Sequence, residues 1–165
     1  MEWRTRPAAP ADAAAISAIY NEGIADRIAT FETSPRSATD IVGWFTGNHL
    51  VVVAESAGAG PVAFAASFPY SSRPCYRGIG DFSVYVKRNH RGCGAGRAVL
   101  AALIEAATAA GFHKLTSRVF PENTASRSLL KSLGFEEIGI HRRHGQLDGR
   151  WRDCVIVERL LEDHQ

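Results

Sequence analysis

Apolar positions change period several times along the chain, and each change marks an element. Trp3 to Arg6 reads as a short first strand. Pro7 to Asp12 interrupts it and supplies an N-cap, after which Ala13, Ile16, Ile19 and Tyr20 share one helical face. Asp26 to Ser37 is polar and irregular, with Phe31 set among threonine and glutamate, and Ser37 or Thr39 opens a shorter helix carrying Ile41, Trp44 and Phe45. Leu50 to Glu55 and Val62 to Phe68 are apolar runs flanking a glycine turn, which predicts a hairpin. Pro69 to Gly80 reads as a loop leading into a central strand, Phe82 to Val86. From Arg97 the residues Val99, Leu100, Leu103, Ile104 and Ala107 recur at helical spacing until Gly111, which suits a C-cap. Lys114 to Phe120 alternates as a strand. Asn123 opens a helix with Leu129, Leu130 and Leu133 on one face, and Gly134 closes it. Phe135 to Gly139 starts a strand, His144 to Gly149 is a turn, and Trp151 to Leu161 forms the last strand. The order β-α-α-β-β-β-α-β-α-β-β predicts a mixed α/β fold: one mostly antiparallel twisted sheet with helices on both faces.

Chemistry concentrates between residues 82 and 110. A strand runs into a loop, Arg91 to Gly96, with glycine at 92, 94 and 96, and the loop runs into a helix. Glycines let main-chain N–H groups approach an anion, and a helix start adds unpaired donors and the positive end of its dipole. The spacing suits neither common nucleotide loop. A P-loop needs four residues between its glycines and then Lys-Ser/Thr, whereas Arg97-Ala98 follows here. A dinucleotide fingerprint needs its third glycine one position later, and an acid at the next strand end that this chain lacks.

Composition narrows the field. A chain of 165 residues fits a single domain, residues 1–165, with a core that needs no staples. The formal net charge of +2 gives no bulk reason to bind nucleic acid, although basic residues cluster at Lys87–Arg97 and His141–Arg152. Three cysteines, odd in number and far apart, argue against a disulfide framework or a zinc site and suit a reducing cytoplasm. No apolar run approaches membrane-spanning length.

The pattern Arg91-x-x-Gly94-x-Gly96 resembles the pyrophosphate loop of the GCN5-related N-acetyltransferases, and the element order is also that family's. Ile19-Tyr20-Asn21-Glu22, Phe68-Pro-Tyr, Arg73-Pro-Cys-Tyr76, Ser83-Val-Tyr-Val86, Asn123-Thr-Ala-Ser126, Leu133-Gly-Phe135 and Trp151-Arg-Asp are similar to its phosphinothricin and arsinothricin branch. The resemblance implies acetyl-CoA as cofactor, a small-molecule amine as acceptor, and a homodimer, for which the apolar last hairpin offers an edge. It implies no metal.

By the same resemblance, Arg91, Gly92, Cys93, Gly94, Ala95, Gly96 and Arg97 hold the pyrophosphate. The main chain of Val84, Tyr85 and Val86 pairs with the pantetheine arm as a strand would, and Asn123 and Ser126 contact the cofactor near its reactive end. Asn123 also suits a helix N-cap. Asp81 stands where the branch carries a glutamate base. Being one methylene shorter, it favours relay of the amine proton through a water over direct removal. Phe31, Arg73 and Tyr76 match the branch's substrate pocket, Arg73 offering a planar fork to an acid group. Two departures stand out. Ser71 replaces a lysine of the substrate loop, and Leu130 replaces a histidine of the helix. The thiolate therefore either leaves with help from water or the helix dipole, or takes a proton from another group such as Tyr85 or Ser126. Acetylation of protein N-termini or polyamines, or acyl-CoA sensing without turnover, remain alternatives on the sequence alone.

Overall fold

The computed structural model describes residues 2–161, so residue 1 and residues 162–165 of the expected domain lie outside the described residues. Seven strands form one sheet in the order β1-β2-β3-β4-β5-β7-β6. They are β1 (Arg4–Pro7), β2 (Leu50–Ser56), β3 (Gly60–Pro69), β4 (Ile79–Val86), β5 (Lys114–Val119), β6 (Glu136–Leu147) and β7 (Arg150–Leu160). Every neighbouring pair is antiparallel except β4 with β5. The helices are α1 (Ala13–Asp26), α2 (Ala38–Val42), α3 (Ala95–Ala109) and α4 (Thr124–Ser132). The mixed, mostly antiparallel architecture is the one the periodicity predicts.

Strand alternation divides the core. Phe82 on β4, Leu115 on β5 and Val155 and Val157 on β7 pack with Val99, Leu100 and Leu103 of α3 and Leu130 of α4 on one face. Phe64 on β3 and Tyr85 on β4 pack with Ile16 and Ile19 of α1 and Ile41 on the other. Residues one apart on a strand point to opposite faces, so β4 serves both cores from neighbouring positions.

Several boundaries differ from the sequence reading. β4 begins at Ile79 rather than Phe82, which places Asp81 inside the strand instead of at a strand end. α3 begins at Ala95, two residues before Arg97, because Gly94 in a left-handed conformation ends the loop and leaves Ala95 to join the core. β6 runs through His141 and His144 to Leu147, carried by an irregularity at Arg143, so the turn shrinks to Asp148-Gly149. Asp12 is not a side-chain N-cap. Its carboxylate accepts from the Ala9 N–H at 2.8 Å and forms a two-point pair with Arg6, which holds it below the usual aspartate range.

Close packing of β4 depends on one glycine. A Cβ at Gly80 would run into Ser67 Oγ and lie 2.9 Å from Leu115 Cδ2. Gly80→Ala is expected to lower folding stability by about 1–3 kcal/mol, the usual range for overpacking. A urea melt checks this, and an unshifted midpoint would refute it.

Candidate active site

The site lies where the sheet opens. β4 and β5 pair only at Ile79, Gly80 and Asp81 against Lys114, Leu115 and Thr116, and then diverge. At the vertex the Ser117 hydroxyl donates to the Phe82 carbonyl at 2.7 Å, and Arg91 Nε donates to the Val86 carbonyl at 3.2 Å. Main-chain groups of successive strand residues point to opposite edges. Phe82, Val84 and Val86 therefore turn N–H and C=O into the opening, while Asp81, Ser83 and Tyr85 face β3. A cavity of about 410 Å³ fills the opening and continues to the start of α3. Val84 and Val86 line it as expected. Tyr85 lines it too, but its main chain is turned toward β3 rather than into the opening, and its ring is buried between Tyr20 and Phe64. Burial raises the phenol's pKa well above the ordinary tyrosine value.

At the other end of the cavity stands the glycine loop. Gly92 and Gly94 have φ of 76° and 86°, a region that favours glycine. Gly96 does something different. Its φ is ordinary, but a Cβ there would lie 3.2 Å from Val86 Cγ2 and 3.4 Å from Leu129 Cδ2, so its smallness keeps the channel open. The helix leaves the N–H groups of Ala95, Gly96 and Arg97 without helical partners, since the first ladder bond is Ala98 N–H to Gly94 C=O. Ala95 offers only that N–H, its side chain being core. Cys93 is exposed and does not line the cavity; its carbonyl accepts from Trp3 Nε1 at 2.9 Å, which pins the loop to the N-terminal segment. Arg91 reaches Asp26 at 2.7 Å, and Arg97 Nη1 donates to Ser132 Oγ.

Asp81 occupies the face of β4 that looks toward α1. Its side chain is 29% exposed, and Arg118 Nη2 donates to its Oδ2 at 3.1 Å. Burial outweighs the guanidinium and the Phe82 amide, so the carboxyl sits above the ordinary aspartate value. Arg118 lines the cavity, as do Ile28 and Ala29 of the loop after α1. The sequence reading missed Arg118. Its signal is a lone charge inside an alternating strand, Leu115-Thr-Ser-Arg-Val119.

Asn123 does cap α4, its Oδ1 accepting from the Ser126 N–H at 3.2 Å, and its Nδ2 donates to the Ile28 carbonyl at 3.2 Å. That one residue ties α4 to the α1–α2 loop across the cavity, and Ser126 lines the wall beside it. Leu130 is buried and lines the same wall without a titratable group.

The expected substrate residues are not gathered. Phe31 stands edge-on to Phe120 at 5.0 Å beneath the β6–β7 hairpin, and it does not line the cavity. Arg73 and Tyr76 bracket a short helical turn whose neighbours Pro74, Cys75 and Arg77 border a different depression, beside Ala110 to His113 at the far end of α3. A helix of 15 residues puts roughly 22 Å between that end and the glycine loop.

The model of the Acetyltransferase (GNAT) family matches residues 16–135. This chain belongs to that family. An L-methionine sulfoximine/L-methionine sulfone acetyltransferase of Pseudomonas paraeruginosa is 32% identical over 98% of this chain and 96% of its own. The crystal structure of a ribosomal-protein-alanine N-acetyltransferase from Brucella melitensis superposes with a TM-score of 0.90 at 34% identity, covering 96% of this chain and 99% of that one. A phosphinothricin acetyltransferase from Sinorhizobium meliloti, solved with acetyl-CoA, gives 0.90 at 29% identity, covering 98% and 89%. The match places the acetyltransferase in the phosphinothricin-like branch and makes acetyl-CoA its donor.

The GNAT residues present fit that donor. A diphosphate needs clustered N–H donors with positive charge near, and the loop with Arg97 supplies both. An amide-bearing arm needs a free strand edge, and β4 offers one along Val84 and Val86. Trp3, Ser117 and Asp26, which hold these pieces, carry no motif of their own. Among the described residues no helix is long and apolar enough to cross a membrane.

Proposed function

We propose that this acetyltransferase acts on the amine of a small, amino-acid-like acceptor of the phosphinothricin, arsinothricin or methionine sulfoximine type, by direct attack in a ternary complex. The observation that carries the reading is the cavity itself. It runs from the glycine loop on the α3 side through the opening between β4 and β5 to Arg118, against whose guanidinium the Asp81 carboxylate rests on the α1 side. Acetyl-CoA supplies an activated acetyl group. The N–H groups of residues 92–97, with Arg91 and Arg97, hold its diphosphate, and the edge of Val84 and Val86 holds its arm. The Val84 N–H faces the opening and is placed to donate to the acyl oxygen, an interaction typically worth a few kcal/mol in related sites. Asp81 accepts the amine proton, its raised pKa making it a better base than an ordinary aspartate. With Leu130 in place of a titratable group, the departing thiolate takes its proton from water or from the Ser126 hydroxyl.

Thiol release with acetyl-CoA and a panel of amines tests the reading. The panel holds phosphinothricin, arsinothricin, methionine sulfoximine, polyamines and a peptide with N-terminal alanine. Turnover confined to the amino acids is expected. A second reading, acetylation of protein N-termini, draws on the displacement of Arg73 and Phe31 from the cavity and on the named activity of the Brucella relative. Turnover of the peptide alone would favour it, and binding of acetyl-CoA with no turnover would favour a sensor. Arg97→Gln is expected to weaken coenzyme A binding about tenfold in calorimetry, the effect of one lost charge-assisted contact. Among the described residues its side chain makes one hydrogen bond, to Ser132, so the melting temperature should stay put.

A single domain over residues 1–165, working in the cytoplasm as a homodimer, completes the proposal. Ile138, Ile140, Trp151 and Leu160 are 52%, 59%, 57% and 72% exposed on the β6–β7 side of the sheet, which supports self-association there. Light scattering on the eluting protein reads the mass.

A further inference from the structure

On its acceptor side the cavity is lined by Arg118, and Asp81, not itself a lining residue, sets an opposite charge against it. Asp81 Oδ2 and Arg118 Nη2 are 3.1 Å apart, and both groups are partly exposed. A guanidinium has five N–H donors. Among the described residues Arg118 makes a single hydrogen bond, the one to Asp81, so most of its fork remains available. Three cations line the cavity. Arg91 is committed to Asp26 and to the Val86 carbonyl. Arg97 sits on α3 at the loop end. Arg118 alone stands on the same face as the base, because Arg118 and Thr116 alternate with the α3-facing Leu115.

Resting on the reading of Asp81 as the base in acetyl transfer, we infer that Asp81 and Arg118 together form a receptor for a zwitterion, in which Arg118 binds the α-carboxylate of the acceptor while Asp81 faces its α-amine. An α-amino acid carries amine and carboxylate on one carbon, so its two charged groups lie side by side with the spacing of a contact ion pair. A neighbouring carboxylate and guanidinium present the complementary pair without separating. A planar fork donates two parallel bonds to a carboxylate and only one to an amide oxygen. The site therefore selects for a free α-acid, and the cation sought in Arg73 by sequence is supplied by β5. The side chain of the acceptor then meets Ile28 and Ala29, which suits uncharged groups. Peptides with a blocked carboxyl end lack the second half of the match.

The test compares one amino acid from the turnover panel with its α-amide and its methyl ester, in the wild type, Arg118→Gln and Arg118→Lys. In the wild type kcat/KM for the acid should exceed that for the amide by ~30-fold or more, as expected when a charge-assisted pair is matched. In Arg118→Gln that preference should fall to within about threefold, mostly through KM for the acid, while Arg118→Lys keeps an intermediate preference. If Arg118 only positions Asp81, acid and amide lose the same factor in Arg118→Gln and the preference survives, which overturns the inference. A wild type that does not distinguish acid from amide overturns it as well. Absence of transfer to every amine, with coenzyme A bound, would overturn the acetyl-transfer reading itself and the inference with it. Coenzyme A affinity, measured beside turnover, confirms that each variant is folded.

Discussion

Asp81→Asn is expected to lower kcat/KM for acetyl transfer by ~100- to 10,000-fold, the range that general bases contribute, while coenzyme A affinity stays within about twofold. Asparagine keeps the size and the Arg118 contact but cannot take a proton. The wild-type pH profile carries the same information. Burial raises the Asp81 pKa, so the limb on which activity falls toward acid should lie above the ordinary aspartate range, and it should vanish from the residual activity of the variant. Stability should move the other way. A carboxyl whose folded pKa exceeds its unfolded value makes no net contribution at pH below both, and its ionised form becomes unfavourable as pH rises through the folded value. At neutral pH the asparagine variant should therefore melt no lower than the wild type, and slightly higher. An unaltered pH–rate limb in Asp81→Asn would show that another group is the base.

Gly96→Val is expected to have the largest effect on cofactor binding, raising the Kd for coenzyme A by ~100-fold, equivalent to about 3 kcal/mol. The first added carbon already meets Val86 Cγ2 at 3.2 Å and Leu129 Cδ2 at 3.4 Å, and the branches of valine extend into the channel between the loop and β4. Both the N–H cluster and the strand edge lose access together. Gly58→Ala provides the contrast, because Gly58 has a φ of 78° in the β2–β3 turn and open space around it. It should lower stability through backbone strain and leave coenzyme A affinity unaltered. Calorimetry on both variants, with thermal melts to establish folding, decides the matter. Unchanged affinity in Gly96→Val would remove the glycine loop from the cofactor site.

How far the site was legible depends on the range of the interactions that make it. The loop at 91–96 and the cap at Asn123 are local, so residue types at fixed offsets reveal them. Gly96 shows the limit of that logic. Its place in the motif suggests conformational freedom, while its observed role is to make room for Val86 and Leu129, which come from other elements. The sequence offers Asp81 as a candidate base ahead of Ser83 but says nothing of its surroundings. Parallel pairing with β5 extends β4 back to Ile79 and half-buries the carboxyl, which is what raises its pKa. Arg73 and Tyr76 show the converse. A matching stretch carries no information about the end of α3 at which it lies. Arg118 shows in the sequence only as a lone charge in an alternating strand, and its pairing with Asp81 is not legible because that partner is 37 residues away.

The amino-acid sequence by itself determined the order of strands and helices, the two apolar faces of the sheet and the presence of a glycine loop at the start of α3, because periodicity and glycine placement act over a few residues. Only the tertiary structure decided where β4 and β5 part, which main-chain edges enter the opening, and that Arg118 reaches its far side with Asp81 against it. Those are set by register between strands distant in sequence, and register is fixed by packing across the whole sheet rather than by any one segment.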